Sequence, residues 1–224
     1  VKQIIVHKGP SFEIEAGLFR KGYQFIAGVD EAGRGSLAGP LVLGVSIYES
    51  RLFSQTIPEE LSLVNDSKKL THKTRCTALD SIRETALCVK HYAVPHDLVD
   101  KLNINGATLY ALRMMIAELP IQPDCVIMDG NFSFTLSIPF IPVIKGDSRS
   151  VTIASASIEA KVSRDRIMTD LDGEYPGYGF SVHKGYGTER HREAIERLGP
   201  SAIHRLSYEP VKSMVMNNPE LCIS

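Results

Sequence analysis

The chain has 224 residues, 43% of them apolar, and 25 basic side chains against 26 acidic ones for a net charge of −1. This excludes a disordered polypeptide and a protein that grips a polyanion by overall charge, and it suffices for one large α/β domain with or without a small appendage. No run approaches the ~18 to 20 apolar residues of a membrane span and the start resembles no secretory leader, so a cytoplasmic chain without a membrane partner is expected.

Residues 1 to 24 are weakly patterned and predict an arm or an extra strand. Phe25–Val29 is a short apolar run and Leu41–Tyr48 a longer, β-branched one, and the turn-rich Gly33–Pro40 between them predicts a hairpin. Residues 49 to 70 read as loop, ending at Asn65-Asp66-Ser67-Lys68-Lys69-Leu70. Thr71 can cap a helix to about Ala86 with Cys76, Leu79, Ile82 and Ala86 on one face, and Leu87–Val94 reads as a strand. Pro95 opens a short helix through Leu102, and Gly106 precedes a stronger one on which Leu109, Leu112, Ile116 and Leu119 recur until Pro120.

Cys125–Met128 reads as a buried parallel strand with Asp129 at its carboxyl end. Ile138–Ile144, broken by Pro139 and Pro142, reads as a strand at the sheet border. From Ser148 to about Leu171 one helix is expected, its alanines and serines allowing close approach to the sheet, and two more helical stretches follow near 188–198 and 200–206. The order predicts an α/β core with a mixed sheet over residues 25–172, preceded by the arm at 1–24 and followed by a C-terminal helical segment and tail at 173–224.

Four acids stand where apolar runs give way to glycine turns: Asp30 and Glu31 before Gly33, Asp129 before Gly130, and Asp147 after Gly146. Carboxylates gathered at one sheet rim repel unless a cation joins them, and Mg²⁺ or Mn²⁺ are the natural occupants because they take carboxylate oxygens and keep positions for water and phosphate. Neighbouring residues of a flat strand face opposite ways, so Asp30 and Glu31 can serve one site only if the chain turns or bulges near Gly33 and Gly35. Each of these tripeptides is an ordinary turn by itself; three of them at strand ends, each with an acid, favour a two-ion phosphodiester-cleaving site.

Three basic clusters, Lys68/Lys69/Lys73/Arg75, Lys161/Arg164/Arg166 and Lys184/Arg190/Arg192, suit basic walls around an acidic centre, although each alone reads as a solvated helix end. Lys68 and Lys184 are candidate phosphate contacts. Cys76, Cys88, Cys125 and Cys222 show no C-x-x-C pair or zinc-like spacing and are expected to be reduced. His183 reads as a surface-loop histidine, and Ser155 and Ser157 as helix-packing residues. Gly28-x-x-x-x-Gly33-Arg34 lacks the Lys-Ser/Thr of a P-loop, and Gly33-x-Gly35-x-x-x-Gly39 misses the dinucleotide spacing by one residue.

The segment Gly28-Val29-Asp30-Glu31-Ala32-Gly33-Arg34-Gly35-Ser36-Leu37-Ala38-Gly39-Pro40 resembles the signature of ribonuclease HII. In the same order, so do Asn65–Leu70, Met128–Asn131, Lys145–Ser148, Ala154–Ile158, Ala160-Lys161-Val162-x-Arg164-Asp165, and Tyr178-Gly179-Phe180 followed by His183–Tyr186, together spanning about residues 24 to 208. The resemblance implies an RNase H-like mixed β-sheet flanked by helices. It also implies hydrolysis of RNA in RNA/DNA hybrids and of single ribonucleotides in duplex DNA, cut on the 5′ side to leave a 3′-hydroxyl and a 5′-phosphate. Asp30, Glu31, Asp129 and Asp147 would be the catalytic, metal-binding acids for two divalent ions. Gly33, Arg34 and Gly35 would read the 2′-hydroxyl, and Tyr186 would pack on the neighbouring deoxyribose. Gly-Arg-Gly argues against the related ribonuclease HIII.

Ser36 stands where the family usually has proline, and serine is expected to loosen that turn. A monomer with no obligate protein partner is expected, and residues 217–224 lack the aromatic pair that docking to a replication clamp usually needs. A transposase-like nuclease would share the acids but not Gly-Arg-Gly, and a binding module with a structural metal would show no turnover.

Overall fold

A computed structural model describes residues 9–54 and 56–218; Cys222 and the tail read above from 219 onward lie outside the described residues. Five strands form a mixed sheet in the order β3-β2-β1-β4-β5, with β1 at Ile26–Ala32, β2 at Leu41–Ile47, β3 at Cys88–Val94, β4 at Cys125–Asp129 and β5 at Phe140–Val143. The consecutive pair β1 and β2 are neighbours, as the two apolar runs predict, and β4 pairs in parallel with both β1 and β5. The register sets Val29 opposite Met128 and Asp129 opposite Val143, so Asp30 and Asp129, each the residue after a paired one, stand level on adjacent strands. Pro142 is tolerated in β5 because that strand is at the border of the sheet.

The helices are α1 (Glu13–Phe19), α2 (His72–Thr85), α3 (His96–Ala117), α4 (Val151–Glu174), α5 (Phe180–His183), α6 (Glu189–Leu198) and α7 (Val211–Asn217). Thr71 caps α2, its hydroxyl accepting the Thr74 N–H at 3.2 Å. The two helices expected on either side of residues 102–106 are both present in α3 and meet at Asn103, which is not helical (φ 53°, ψ 170°) and whose side-chain oxygen accepts from Asn105 and Gly106 N–H. The buried stripe is Ala107, Ala111, Leu112, Met115 and Leu119, whereas the expected Leu109 and Ile116 are only half buried.

Three further expectations are corrected. Of residues 1–24, where an arm or extra strand was expected, 1–8 lie outside the described residues and the rest hold a helix, α1. Residues 200–206 form turns instead of a helix, because Ile203 C=O and Arg205 N–H pair with Gly39 N–H and Leu37 C=O and are lost to a helical ladder. His183 is buried, not a surface residue.

The described residues divide into two compact units: those up to Glu31 with Leu43–His91 and Arg113–Val162, and Ala32–Val42 with Tyr92–Leu112 and the residues from Ser163 onward. The core of the first is built by Phe12, Leu18, Ile26, Tyr48, Phe53, Ile82, Ile127, Ile153 and Ile158 with their neighbours. There α4 approaches β1 and β2 most closely at two glycines. A Cβ on Gly28 would stand 2.5 Å from the Thr152 carbonyl carbon, and one on Gly44 would stand 2.1 Å from Ala156 O. Smaller apolar clusters around Phe180 and Ile195 serve the second unit. Among the described residues Cys76, Cys88 and Cys125 are free thiols, and no helix is long and apolar enough to cross a membrane.

Candidate active site

Asp30, Asp129 and Asp147 each offer a carboxylate oxygen within 4.8 Å of the other two. Strands β1 and β4 deliver the first two at their carboxyl ends. The third comes on a 3₁₀ turn, Gly146–Ser148, and Asp129 itself fixes that turn: its Oδ1 accepts the Gly146 N–H at 2.6 Å. A Cβ on Gly146 would lie 2.6 Å from Ile153 Cδ1, so a side chain there would require Ile153 to shift. Asp30 is 5% exposed and Asp147 7% exposed.

Three carboxylates so placed are electrostatically unfavourable alone. Burial, then the charges of Glu31 and Asp129, hold the Asp30 carboxyl well above the usual carboxylate range, although a hydrogen bond from Ser157 opposes this. Burial, then Asp129 and Asp66, likewise raise Asp147, with Lys68 acting the other way. A hard divalent cation suits this donor set, because it replaces the repulsion with attraction and is satisfied by oxygen ligands.

Glu31 is not one of the three acids whose oxygens converge. It lies inside β1, which continues to Ala32, and the expected turn follows at Gly33–Gly35, where Gly33 has φ 88°; Glu31 acts on Asp30 through its charge. Lys68 Nζ is 3.5 Å from Asp147 Oδ2. Burial pulls the ammonium down, but Asp147, Asp30, Asp66 and Asp129 outweigh this and hold its pKa above the ordinary value. Its backbone is set by Asp66, which accepts the Lys68 N–H at 3.0 Å, and by Ser67, whose hydroxyl is 2.9 Å from that of Ser157 on α4. Thus Ser157 links two parts of the site, Asp30 and the Lys68 turn. Asp66 and Ser157 were not read as site residues, though both fall inside motifs that carry the resemblance.

The Gly33–Pro40 loop belongs to the second unit, where two arginines with no exposed surface hold its carbonyls. Arg164 donates from Nε to Pro40 O at 2.9 Å and from Nη2 to Ala38 O at 3.2 Å and Ser36 Oγ at 2.7 Å, while Nη1 reaches Lys184 O at 2.9 Å. Arg205 donates from Nη1 to Arg34 O at 3.0 Å and from Nε and Nη2 to Gly39 O at 3.2 and 3.1 Å. Burial lowers the Arg164 guanidinium to about 10, so it is protonated at neutral pH. Reading Arg164 as a solvated helix end is therefore corrected. Its signal was its place in the stripe Ile153, Ser157, Ala160, Arg164 and Met168, a charge at helical spacing among residues that face inward.

Ser36 also departs from expectation. It is fully buried, its Oγ donates to Gly33 O at 2.8 Å while accepting from Arg164, and its backbone bridges Tyr186. The serine ties the turn by hydrogen bonds where proline would stiffen it covalently. Gly33 must be glycine, with φ at 88° and a hypothetical Cβ 1.9 Å from Arg164 Nε. Gly35 is different: it is exposed, and a side chain there would meet nothing within 4 Å. Arg34 turns to Asn105 and Thr108, donating to their oxygens at 2.5 and 3.4 Å. The Tyr186 ring faces Arg164 at 5.2 Å, and Lys184 Nζ donates to Thr169 Oγ1 at 2.5 Å.

Comparison with known proteins adds an independent line. The family model described as Ribonuclease HII matches residues 27–211. A ribonuclease HII of Geotalea uraniireducens is 46% identical over 203 residues, which is 91% of each chain. Among solved structures, the ribonuclease H2 of Pyrococcus horikoshii OT3 superposes with a TM-score of 0.72 at 23% identity, covering 89% of this chain and 100% of that one. The Bst ribonuclease HIII in complex with Mn²⁺ superposes with a TM-score of 0.61 at 19% identity, over 87% of this chain and 70% of that one.

Proposed function

The chain belongs to the ribonuclease HII family, metal-dependent ribonucleases that degrade RNA in RNA/DNA hybrids, and from that premise we propose that it also nicks duplex DNA on the 5′ side of a single embedded ribonucleotide, leaving a 3′-hydroxyl and a 5′-phosphate. The observation that carries the catalytic part is the convergence of Asp30, Asp129 and Asp147 within 4.8 Å. In this reading they hold one divalent ion, and Asp30 with Glu31 holds a second. When bound, Mg²⁺ or Mn²⁺ supplies activation of the attacking water and stabilisation of the departing 3′ oxygen. The Mn²⁺ of the Bst ribonuclease HIII complex supports manganese as one occupant.

The remaining roles follow from chemistry. Lys68 neutralises the scissile phosphate as it enters among acids, and Lys184 contacts a neighbouring phosphate. Gly33, Arg34 and Gly35 read the 2′-hydroxyl, which alone separates a ribonucleotide from its deoxy neighbours. Gly35 supports this best, because nothing in the protein's own packing demands a glycine there, whereas a ligand approaching the backbone does. Tyr186 packs on the following deoxyribose. The setting is removal of ribonucleotides from DNA in the cytoplasm.

The test is a labelled duplex with one ribonucleotide, incubated with Mn²⁺, Mg²⁺ or EDTA. A metal-dependent nick on the 5′ side of the ribonucleotide and none in an all-deoxy duplex is expected; cleavage only of long hybrids removes the single-ribonucleotide part, and equal cleavage of the all-deoxy duplex removes the 2′-hydroxyl reader.

A further inference from the structure

We infer that Glu15, on the helix that precedes the family-matched residues, is a positioning residue for the acidic site, holding the first turn of α4 and through it the placement of Asp147 relative to Asp30. The inference rests on the reading of those acids as metal ligands.

An α-helix begins with N–H groups that have no partner inside it. In α4, Val151 N–H donates to Ser11 O at 3.1 Å, Thr152 N–H to Glu15 Oε1 at 3.1 Å, and Ile153 N–H to Ser150 Oγ at 3.0 Å. The Ser150 hydroxyl donates in turn to Glu15 Oε1 at 2.6 Å. A cap carboxylate ordinarily comes from the helix's own first turn. Here it is supplied from 135 residues away, by a side chain with no exposed surface.

Burial raises the Glu15 carboxyl, which the hydrogen bonds from Ser150 and Thr152 only partly offset. An apolar side chain in its place would leave the Thr152 N–H and the Ser150 hydroxyl without this acceptor, so the carboxylate fixes the geometry of the turn as well as filling the space. That geometry bears on the acids. Ser150 N–H donates to Gly146 O at 2.8 Å, one residue from Asp147, and Ile153 packs on Gly146. Thr152 lies against Gly28, two residues before Asp30, and Ser157 further along α4 bonds to Asp30 itself. A shift of this turn moves both supports together. The prop is itself anchored, with the Phe12 ring 5.4 Å from Tyr48 and 5.6 Å from Phe53, and Leu18 buried.

Glu15→Gln keeps an oxygen that can accept both bonds, whereas Glu15→Ala removes it. Mn²⁺ is titrated calorimetrically into the full chain at a temperature where each variant is folded by circular dichroism, and the Mn²⁺ needed for half-maximal nicking is measured alongside. Glu15→Ala is expected to weaken both by about tenfold while kcat at saturating Mn²⁺ stays near wild type, and Glu15→Gln to stay within about twofold. Should Glu15→Ala not fold, Glu15→Asp, too short to reach both donors, takes its place with the same direction of effect. A lowered melting temperature with unchanged Mn²⁺ binding, in a protein whose Mn²⁺ binding is weakened by Asp147→Asn, overturns the inference and leaves Glu15 a stabilising residue. Absence of Mn²⁺ binding in the wild type, unchanged by Asp147→Asn, overturns the metal reading first and this inference with it.

Discussion

Asp129 Oδ1 accepts the Gly146 N–H at 2.6 Å, so the acid that ends β4 also secures the turn presenting Asp147. The two carboxylates are thereby set against each other by a bond that involves only one of them.

This separates ligation from structure at Asp129. In Asp129→Asn the amide oxygen still accepts from Gly146, and the fold is retained. Cleavage of the ribonucleotide-containing duplex falls on the order of a thousandfold, the loss of a few kcal/mol of transition-state stabilisation. Circular dichroism and single-turnover kinetics check both halves; a well-folded variant with wild-type rates removes Asp129 from the site.

Without metal the cluster works against the fold. Asp30 and Asp147 have folded-state pKa values raised by burial and by neighbouring carboxylates, so the folded state binds protons more tightly and loses stability as pH rises through those values. At neutral pH Asp147→Asn should therefore melt about 2 to 4 °C above wild type in EDTA, corresponding to about 1 kcal/mol for a chain of this size. Mn²⁺ should raise the wild-type melting temperature and raise that of the variant less. Equal Mn²⁺ shifts in the two proteins would speak against Asp147 as a ligand.

Ser36 and Arg164 form a latch testable from either side. Ser36→Ala leaves Gly33 O only the Ser36 N–H at 3.4 Å and leaves Arg164 Nη2 only Ala38 O, at a cost of about 1 to 3 kcal/mol in urea unfolding. Arg164→Lys, which cannot serve Pro40, Ala38, Ser36 and Lys184 together, should cost more. Both should lower kcat/KM on the single-ribonucleotide duplex beyond what their folded fraction explains, with Mn²⁺ affinity unchanged. Ser36→Pro, the residue usual in the family, measures how far ring stiffness replaces the two hydrogen bonds.

Three histidines of the second unit predict acid sensitivity. His191 donates from Nδ1 to Tyr186 O at 3.0 Å and lies 3.1 Å, Nε2 to Nε2, from His204, which accepts the Ser201 N–H at 2.8 Å; the His183 ring stacks on His191 at 4.3 Å. Burial, then the neighbouring imidazoles, lower His191 to about 4 and His204 to about 3. Between those values and the ordinary 6.5 the unfolded chain binds more protons than the folded one. Their contribution is complete above pH 6.5 and is lost as pH falls toward 4 and 3. Melting temperature should drop across that window, and His204→Asn should flatten the drop; an identical profile in the variant refutes the assignment.

What the chain announces by itself is whatever depends on near neighbours. Thr71 caps the following turn, the apolar run at Cys125–Met128 is a strand delivering Asp129, and acids stand beside glycine turns, because capping, strand burial and turn chemistry act within a few residues. What only the folded structure decided is the fate of polar groups whose partners are remote. Arg164 reads as a solvated helix end until a carbonyl 126 residues away is brought to it, and nothing in the spacing singles out Arg205, which meets one 166 residues away. Ser36 reads as a weakened turn until Arg164 is beside it, and Glu15 as part of an unassigned arm until it meets α4. Burying a charge or a hydroxyl is unfavourable unless acceptors or donors converge on it, and that convergence is a property of the tertiary contacts rather than of local spacing.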